Sequence, residues 1–589
     1  MSVSAPLWLW AASMLVATPE VPSIPQPLGT VLGFHVSWAS DILFTDGMMR
    51  ARSWVPFVPG DRTFQSGAVV PVDASGMPLR VPFVPPEGGP AQRVKTLVFD
   101  DLGGRYPSGR YLFSFEGSGE IAIGGDVSRR VFSKAGAYPI LVEEPANAGF
   151  EITLIRSDED DPVRNMHLWL PGFAKRRQGL LHPRMVERLE GFRAIRLVQP
   201  MSINGGDYPC DNDVAAGDAE CTVSWASRPL PTDFTQAGTK GVAVEYLLEL
   251  TKRVGSDFWP GILHAADDAY IRQLAQLARS RLDPSQKIYL ELSNEIWNFN
   301  GSYPQHDYFR AVGRREGLFA PDMPSDDTDA GRRAFVRRTV QVWEIFEEVF
   351  GPEAKHRLVK VMPGFFGVPW HSERMLVHLG DPVLNPRGLR ADVLAVGAYF
   401  AGTVGDELAR SGRRASVDRV IAMARASLGE ISDGPRRETF AGLVAAHAAL
   451  AKRYGVGLVA YEGGQHLLVG MGEPSPVNEA LQAANRDPRM AELYEQMFDL
   501  WFGQGGGLFN TFSFCEEFTR WGSFGHLEYL EQPLEDAPKM RVVKRRLGLY
   551  VPPEERRTAA ARHWRFVRLG SLPFSGVLIR DPPAEAPAE

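Results

Sequence analysis

The run Lys287-Ile288-Tyr289-Leu290-Glu291-Leu292-Ser293-Asn294-Glu295-Ile296-Trp297-Asn298 decides the reading of this chain. Its first half is a short, nearly continuous apolar segment, the pattern of a parallel strand covered on both faces. It ends on a carboxylate, Glu295. A second run, Gly457-Leu458-Val459-Ala460-Tyr461-Glu462-Gly463-Gly464, has the same form and ends on Glu462. A carboxylate beside a buried strand is costly unless it has partners or a task. One such Glu is equally readable as the cap of the following helix; two at matching strand ends argue for a shared site.

Outward from these two runs lie six more of the same kind, at Asn165–Leu170, Ala194–Gln199, Phe258–Leu263, Leu358–Met362, Val393–Ala398 and Leu508–Phe514. Helical patterns separate them. Ile271, Leu274, Leu277 and Ala278 make one apolar stripe behind an Asp267 or Asp268 cap, and Met490, Leu493, Tyr494, Met497 and Trp501 make another. A third helix, near Phe440–Tyr454, stops at Gly455. Eight strands alternating with helices predict a closed (β/α)8 barrel over residues 162–555. The alternative, an open doubly wound sheet, lacks a Gly-rich phosphate loop after its first run. Glu295 and Glu462 then end the fourth and seventh strands, at the barrel end where such enzymes carry their sites.

Residues 30–161 read differently. Tyr111, Phe113 and Phe115 alternate with polar neighbours, as do Phe150, Ile152 and Leu154, between turns such as Pro107-Ser108-Gly109. This texture predicts a β-sandwich or jelly roll placed before the barrel, serving either to bind a ligand or to buttress it. Residues 1–29 contain the apolar run Pro6–Ala17, a signal remnant or an extended N-terminus, with no Lys or Arg before Arg50. Residues 556–589 read as a strand segment and a Pro/Ala/Glu-rich disordered tail.

The 589 residues are 44% hydrophobic and 23% charged, with a net charge of −7. That balance is globular and gives no basis for a nucleic-acid or membrane partner. Three cysteines exclude a disulfide scaffold. Cys210 and Cys221 form one disulfide or stay free thiols, and Cys515 reads as a buried apolar residue. The loop Asp207–Glu220 is acidic and offers oxygen ligands for Ca²⁺, but it lacks a full calcium-loop pattern and reads as a solvated loop; no catalytic metal and no cofactor are expected.

The residues Ser293-Asn294-Glu295 and Tyr461-Glu462-Gly463, with the strand order over roughly residues 165–550, resemble the clan A glycoside hydrolases, the 4/7 superfamily. The resemblance implies a retaining β-glycosidase. Glu295 is then the acid/base and Glu462 the nucleophile, their carboxyls about 5–5.5 Å apart. It also implies that Asn294 meets the sugar 2-hydroxyl, that Arg196 lies near the nucleophile, that Tyr399 hydrogen-bonds it, and that His264 stands near the sugar. Each has a plainer reading: a surface Arg, a packed Tyr, a structural His. Sugar rings present apolar faces, so aromatic residues are candidate platforms. Trp297, two residues past Glu295, is the one selected from a set that includes Trp225, Trp259, Phe365, Phe366, Trp370 and Trp521. Two departures stand out. Gly397 occupies the place of a family His, and the eighth run, Asn510-Thr511-Phe512-Ser513, has no Trp.

The implied substrate is a β-linked polysaccharide or oligosaccharide, with β-glucan or cellulose the first choice, and the implied location secreted or periplasmic. A non-catalytic carbohydrate-binding barrel and a polysaccharide lyase are the alternatives, and the oligomeric state is left open.

Overall fold

The computed structural model describes residues 26–174, 179–205, 222–299, 303–429, 439–470 and 472–550, and the backbone of 564–568 and 576–580. Eight parallel strand positions close into a barrel: Leu28–Val31, Ala194–Arg196, Asp257–Trp259 continued by Gly261–Ile262, Ile288–Leu292, Leu358–Pro363, Val393–Phe400, Gly457–Gln465 and Phe509–Thr511. The ring closes because Leu28–Val31 pairs with Ala194–Arg196 on one side and with Phe509–Thr511 on the other.

The first strand differs from the sequence expectation. Arg164–Trp169, which overlaps the run counted as barrel strand one, pairs antiparallel with Gly109–Glu116 instead. Its buried residues alternate, Met166 and Leu168 inward, which is the mark of a half-covered antiparallel strand. The true first strand, Leu-Gly-Thr-Val, is four residues long, and no helical pattern follows it directly. Gly29 is needed there, since a Cβ would lie 1.8 Å from Asn510 Oδ1.

The antiparallel sheets therefore interrupt the barrel between its first and second strands rather than precede it. One sheet has five strands, in the order Val55–Phe57, Arg93–Val98, Phe150–Ser157, Gly119–Gly125, Arg130–Phe132; the other has three, Gly136–Val142, Gly109–Glu116 and Arg164–Trp169. Tyr111 meets Phe150 at 5.0 Å between ring centroids and Phe113 meets Phe132 at 5.8 Å, so the two sheets face each other through the alternating aromatics. Because this insert leaves from the C-terminal end of strand one, it reaches the loops at that end: Arg105 pairs with Glu517 at 3.2 Å in the loop after strand eight.

The helices follow their signals. Asp268–Arg281 starts behind Asp267, whose carboxylate accepts from the Tyr270 amide at 2.6 Å. Phe440–Tyr454 ends on Gly455 at φ +66°. Cys515 is buried. The apolar run Pro6–Ala17, Cys210, Cys221, the loop Asp207–Glu220 and the tail from Pro582 lie outside the described residues. Among the described residues no helix is long and apolar enough to cross a membrane. At the C-terminus, Trp564–Arg568 pairs antiparallel with Gly576–Arg580.

Inside the barrel a separate layer is packed from Ala194, Trp259, Tyr289, Val361, Ala395, Val459, Tyr461 and Leu508. Trp259 and Tyr289 stack at 4.5 Å. Such a layer makes the barrel a filled core rather than a pore, and it forms the floor under the two carboxylates.

Candidate active site

Strand four turns sharply as it ends. Ser293 and Glu295 both have positive φ, +61° and +42°. Backbone of this kind costs on the order of 1–3 kcal/mol per residue and is kept where the surroundings fix it, often at functional sites. Strand seven carries an irregularity of its own. Val396 pairs with Ala460 but Gly397 pairs with Glu462, so Tyr461 is an extra residue, a bulge. A bulge re-aims side chains that would otherwise alternate. Here it lets two consecutive residues serve one pocket: Tyr461 reaches Glu295 while Glu462 reaches Arg196 and Tyr399.

Arg196 is the hub. It is fully buried. Its Nε and Nη2 donate to the two oxygens of Glu291 at 2.8 Å each, its Nη1 to Glu462 Oε2 at 2.7 Å, and its Nη2 also to Asn294 Oδ1 at 2.8 Å. The guanidinium lies 4.6 Å over the Tyr461 ring. Burial works against its charge, but the Glu291 and Glu462 carboxylates outweigh that and hold its pKa above the ordinary Arg value. Glu291 is further fixed by the Trp259 indole, which donates at 2.7 Å.

Glu462 accepts a second hydrogen bond, from the Tyr399 hydroxyl at 2.9 Å. Burial pushes its carboxyl up to about 7, opposed by Arg196 and the Tyr399 hydrogen bond and reinforced by the charge of Glu295. Glu295 accepts from Tyr461 Oη at 3.3 Å and from Asn298 Nδ2 at 3.1 Å, and also shares a hydrogen bond with the Tyr303 hydroxyl. The Tyr303, Tyr399 and Tyr461 hydroxyls are all raised, first by burial and then by the charges of both Glu295 and Glu462. The charges of both carboxylates thus bear on all three phenols. Asn294 is held from behind: its side chain donates to Asn204 at 3.0 Å and its carbonyl accepts from Gln305 at 2.5 Å.

The structure thus brings together five of the sequence candidates: Glu295, Glu462, Asn294, Arg196 and Tyr399. His264 is buried, but its ring packs edge-on to Tyr308 at 4.9 Å, and neither ring nitrogen has a hydrogen-bond partner. Burial lowers its pKa to about 4, so the imidazole is neutral. Trp297 is half-buried and stacks on Phe365 at 5.7 Å, with the Tyr461 ring 6.1 Å away. Phe365, Trp370 and Trp521 remain exposed, whereas Trp259 and Phe366 belong to the interior and Trp225 packs on Tyr270.

Sequence reading missed Glu291, Tyr461, Asn298, Tyr303 and Phe512 as site residues. Glu291 had a signal, a carboxylate in the middle of an apolar strand. Phe512 directly follows strand eight, half-buried, 6.1 Å from the Tyr399 ring, in the run where a Trp was sought. Gly397 also acquires a reason: a Cβ there would lie 2.7 Å from Tyr461 Oη. The space a larger residue would need is filled by the phenol.

Searches for a matching family model and for a related curated protein found none. Solved structures with partial likeness include a Bacteroidetes-affiliated GH5 cellulase, at 12% identity and TM-score 0.35, covering 63% of this chain and 87% of that one. A β-glucosidase variant from Trichoderma harzianum matches at 13% identity and TM-score 0.33, covering 62% and 87%. An endo-1,4-β-D-mannanase from Thermotoga petrophila matches at 11% and 0.28, covering 63% and 96%. At these values the architecture rests on the strand pairings themselves.

Proposed function

We propose that this chain is a retaining β-glycoside hydrolase acting on a β-linked polysaccharide or oligosaccharide, with β-glucan the first candidate. The observation that carries the reading is the pair of carboxylates from strands four and seven, linked through Arg196 and Tyr461. In the first step a Glu462 oxygen attacks the anomeric carbon. The glycosidic C–O bond breaks, and the Glu295 proton passes to the leaving oxygen. In the second step water attacks the same carbon, gives a proton to Glu295 and releases Glu462. The first step requires charge on Glu462, which Arg196 and Tyr399 favour. Asn294, held by Arg196 and Asn204, would be the residue that meets the sugar 2-hydroxyl. Phe512 and Trp297 supply apolar faces. The chemistry as written calls on no metal or cofactor, and such an enzyme would work outside the cytoplasm, where polysaccharide is met.

The lyase alternative needs a cation for a uronate. Every guanidinium nitrogen of Arg196 is already bonded within the protein, which counts against it. The deciding experiment is a screen of aryl β-glycosides and β-glucans with Glu295→Gln and Glu462→Gln as controls, followed by NMR of the product anomer. Retention, with both variants reduced by several orders of magnitude, supports the proposal. Inversion, an unsaturated product, or glycan binding without turnover by the parent refutes it.

A further inference from the structure

Arg196 does not serve Glu462 alone. It gives Glu291 two hydrogen bonds, from Nε and Nη2 at 2.8 Å each, and Glu462 one, from Nη1 at 2.7 Å. Glu291 takes a third from the Trp259 indole at 2.7 Å, whereas Glu462 takes its second from the Tyr399 hydroxyl at 2.9 Å. Both oxygens of Glu291 thus face N–H donors, the arrangement that suits a carboxylate. Both side chains are buried, so little water screens one charge from the other. The charges around this guanidinium do not balance. Three carboxyl groups stand near it: Glu291 and Glu295 from strand four and Glu462 from strand seven. The phenols of Tyr399, Tyr461 and Tyr303 are raised and therefore neutral. His466, edge-on to Tyr399 at 5.4 Å, is lowered by burial. Strand eight contributes Asn510 and Thr511, which carry no charge.

We propose that Glu291 competes with Glu462 for the charge of Arg196 and thereby sets the acid boundary of the activity. Glu291 is a positioning residue in this account, since it acts on the reaction only through Arg196 and Glu462. It acts twice. It takes two of the guanidinium's hydrogen bonds, and its own charge repels a charge on Glu462. One cation between two buried carboxylates favours one proton among them, and the geometry puts that proton on Glu462, which has fewer donors. Burial is the largest influence in the same direction, with Arg196 opposing it and the charges of Glu295 and Glu291 adding to it. Only loss of that proton arms the nucleophile. This last step rests on the hydrolase reading; the competition for Arg196 does not.

The test uses the full chain and dinitrophenyl β-cellobioside. Its leaving group needs no proton, so the acid limb of kcat/KM reports Glu462 rather than Glu295. The limb of the unsubstituted chain should lie near pH 7. Glu291→Gln and Glu291→Met remove the charge and should move the limb down by about one unit; below both limbs each variant, measured against its own plateau, should be about tenfold more active. Glu291→Asp keeps the charge and should leave the limb in place even where the plateau falls. A lowered plateau with an unmoved limb in Glu291→Gln and Glu291→Met would mean that Glu291 only holds Arg196 in place, and would overturn the inference. So would a wild-type limb at the ordinary carboxyl value of 4.5. A second readout needs no turnover. Above pH 7, Glu462→Gln should raise Tm less in the Glu291→Gln background than in the wild-type chain, because the repulsion it relieves is already reduced. An equal gain in both backgrounds would overturn the competition itself. Absence of turnover by the parent, with that coupling intact, would overturn the hydrolase reading alone.

Discussion

Tyr399→Phe removes one hydroxyl and leaves the ring, so it isolates the bond to Glu462 Oε1 at 2.9 Å. A hydrogen bond to a charged group contributes about 1.5–3 kcal/mol. Each pKa unit corresponds to about 1.4 kcal/mol, so losing the donor should raise the Glu462 pKa by roughly 1–2 units. The sign follows from which form the hydroxyl stabilises: it donates to the carboxylate, and without it the carboxyl holds its proton to higher pH. Burial has already pushed this group to about 7. The acid limb of kcat/KM, which reports the free enzyme, should therefore move upward in the variant. Below both limbs the variant should lose about 10- to 100-fold in kcat/KM, following the same shift, and the gap should narrow at alkaline pH. The assay is kcat/KM for an aryl β-glycoside across the pH range, with thermal melting to establish that the variant folds. An acid limb that stays in place or moves to lower pH would show that Tyr399 does not stabilise the charged form of Glu462.

Gly397→Ala puts a Cβ within 2.7 Å of Tyr461 Oη, which should displace the phenol from Glu295 and cut kcat/KM about tenfold on substrates with poor leaving groups, in line with one hydrogen bond to a charged group; Tyr461→Phe should match it and the double variant should add little, and additive losses would disprove the shared cause. Arg196→Met leaves Glu291 and Glu462 buried without a counter-charge and should cost about 3–5 kcal/mol of stability, read as a lowered Tm. Glu462 also links stability to pH. Its folded pKa lies above the unfolded value, so the folded state holds its proton longer, and stability falls as pH rises from 4.5 to about 7. Glu462→Gln removes this dependence; its Tm advantage over wild type should grow across that window, toward a limit of roughly 3 kcal/mol, and a constant offset would contradict the linkage. Gly29→Ala should prevent barrel closure, because the new Cβ meets Asn510 Oδ1 at 1.8 Å and the Ala194 carbonyl at 2.8 Å; a soluble, fully folded variant would refute the placement of strand one.

Where the fold was legible, one period dominated. Strands four to seven are apolar runs with helices between them, so their places in the ring could be read directly. Strand one could not, because four residues carry too little periodicity to separate them from a terminal segment, and the inserted sheets put 162 residues between Val31 and Ala194. The miscount was compensated: Asn165–Leu170 entered the tally as Leu28–Val31 dropped out, and Glu295 and Glu462 kept their strand numbers. The site was legible where a charge had no business in an apolar run, as at Arg196, Glu295 and Glu462. It was illegible where a side chain acts through shape. Nothing in the local pattern marks Tyr461 as a bulge residue, since the bulge is defined only by its register against Val396 and Gly397.

That register also bears on the two places where the sequence departs from the pattern it resembles. A residue with a side chain at position 397 would collide with the Tyr461 ring, and Tyr461 could not reach Glu295 if the strand alternated regularly. The glycine, the bulge and the phenol are one arrangement: each is unfavourable or purposeless without the other two. Phe512 fits the same account from strand eight. Its ring contacts Tyr399 at 6.1 Å and Phe524 at 5.2 Å, and Phe524 is held in turn by a buried loop whose Ser523 carbonyl accepts from Gln465 at 2.9 Å and from Lys539. A Phe seated on such a support offers an apolar face without the indole N–H, which in a buried position would need an acceptor of its own. At both places other residues stand around the two carboxylates: the Tyr461 phenol lies against Gly397, and the Phe512 ring lies against Tyr399.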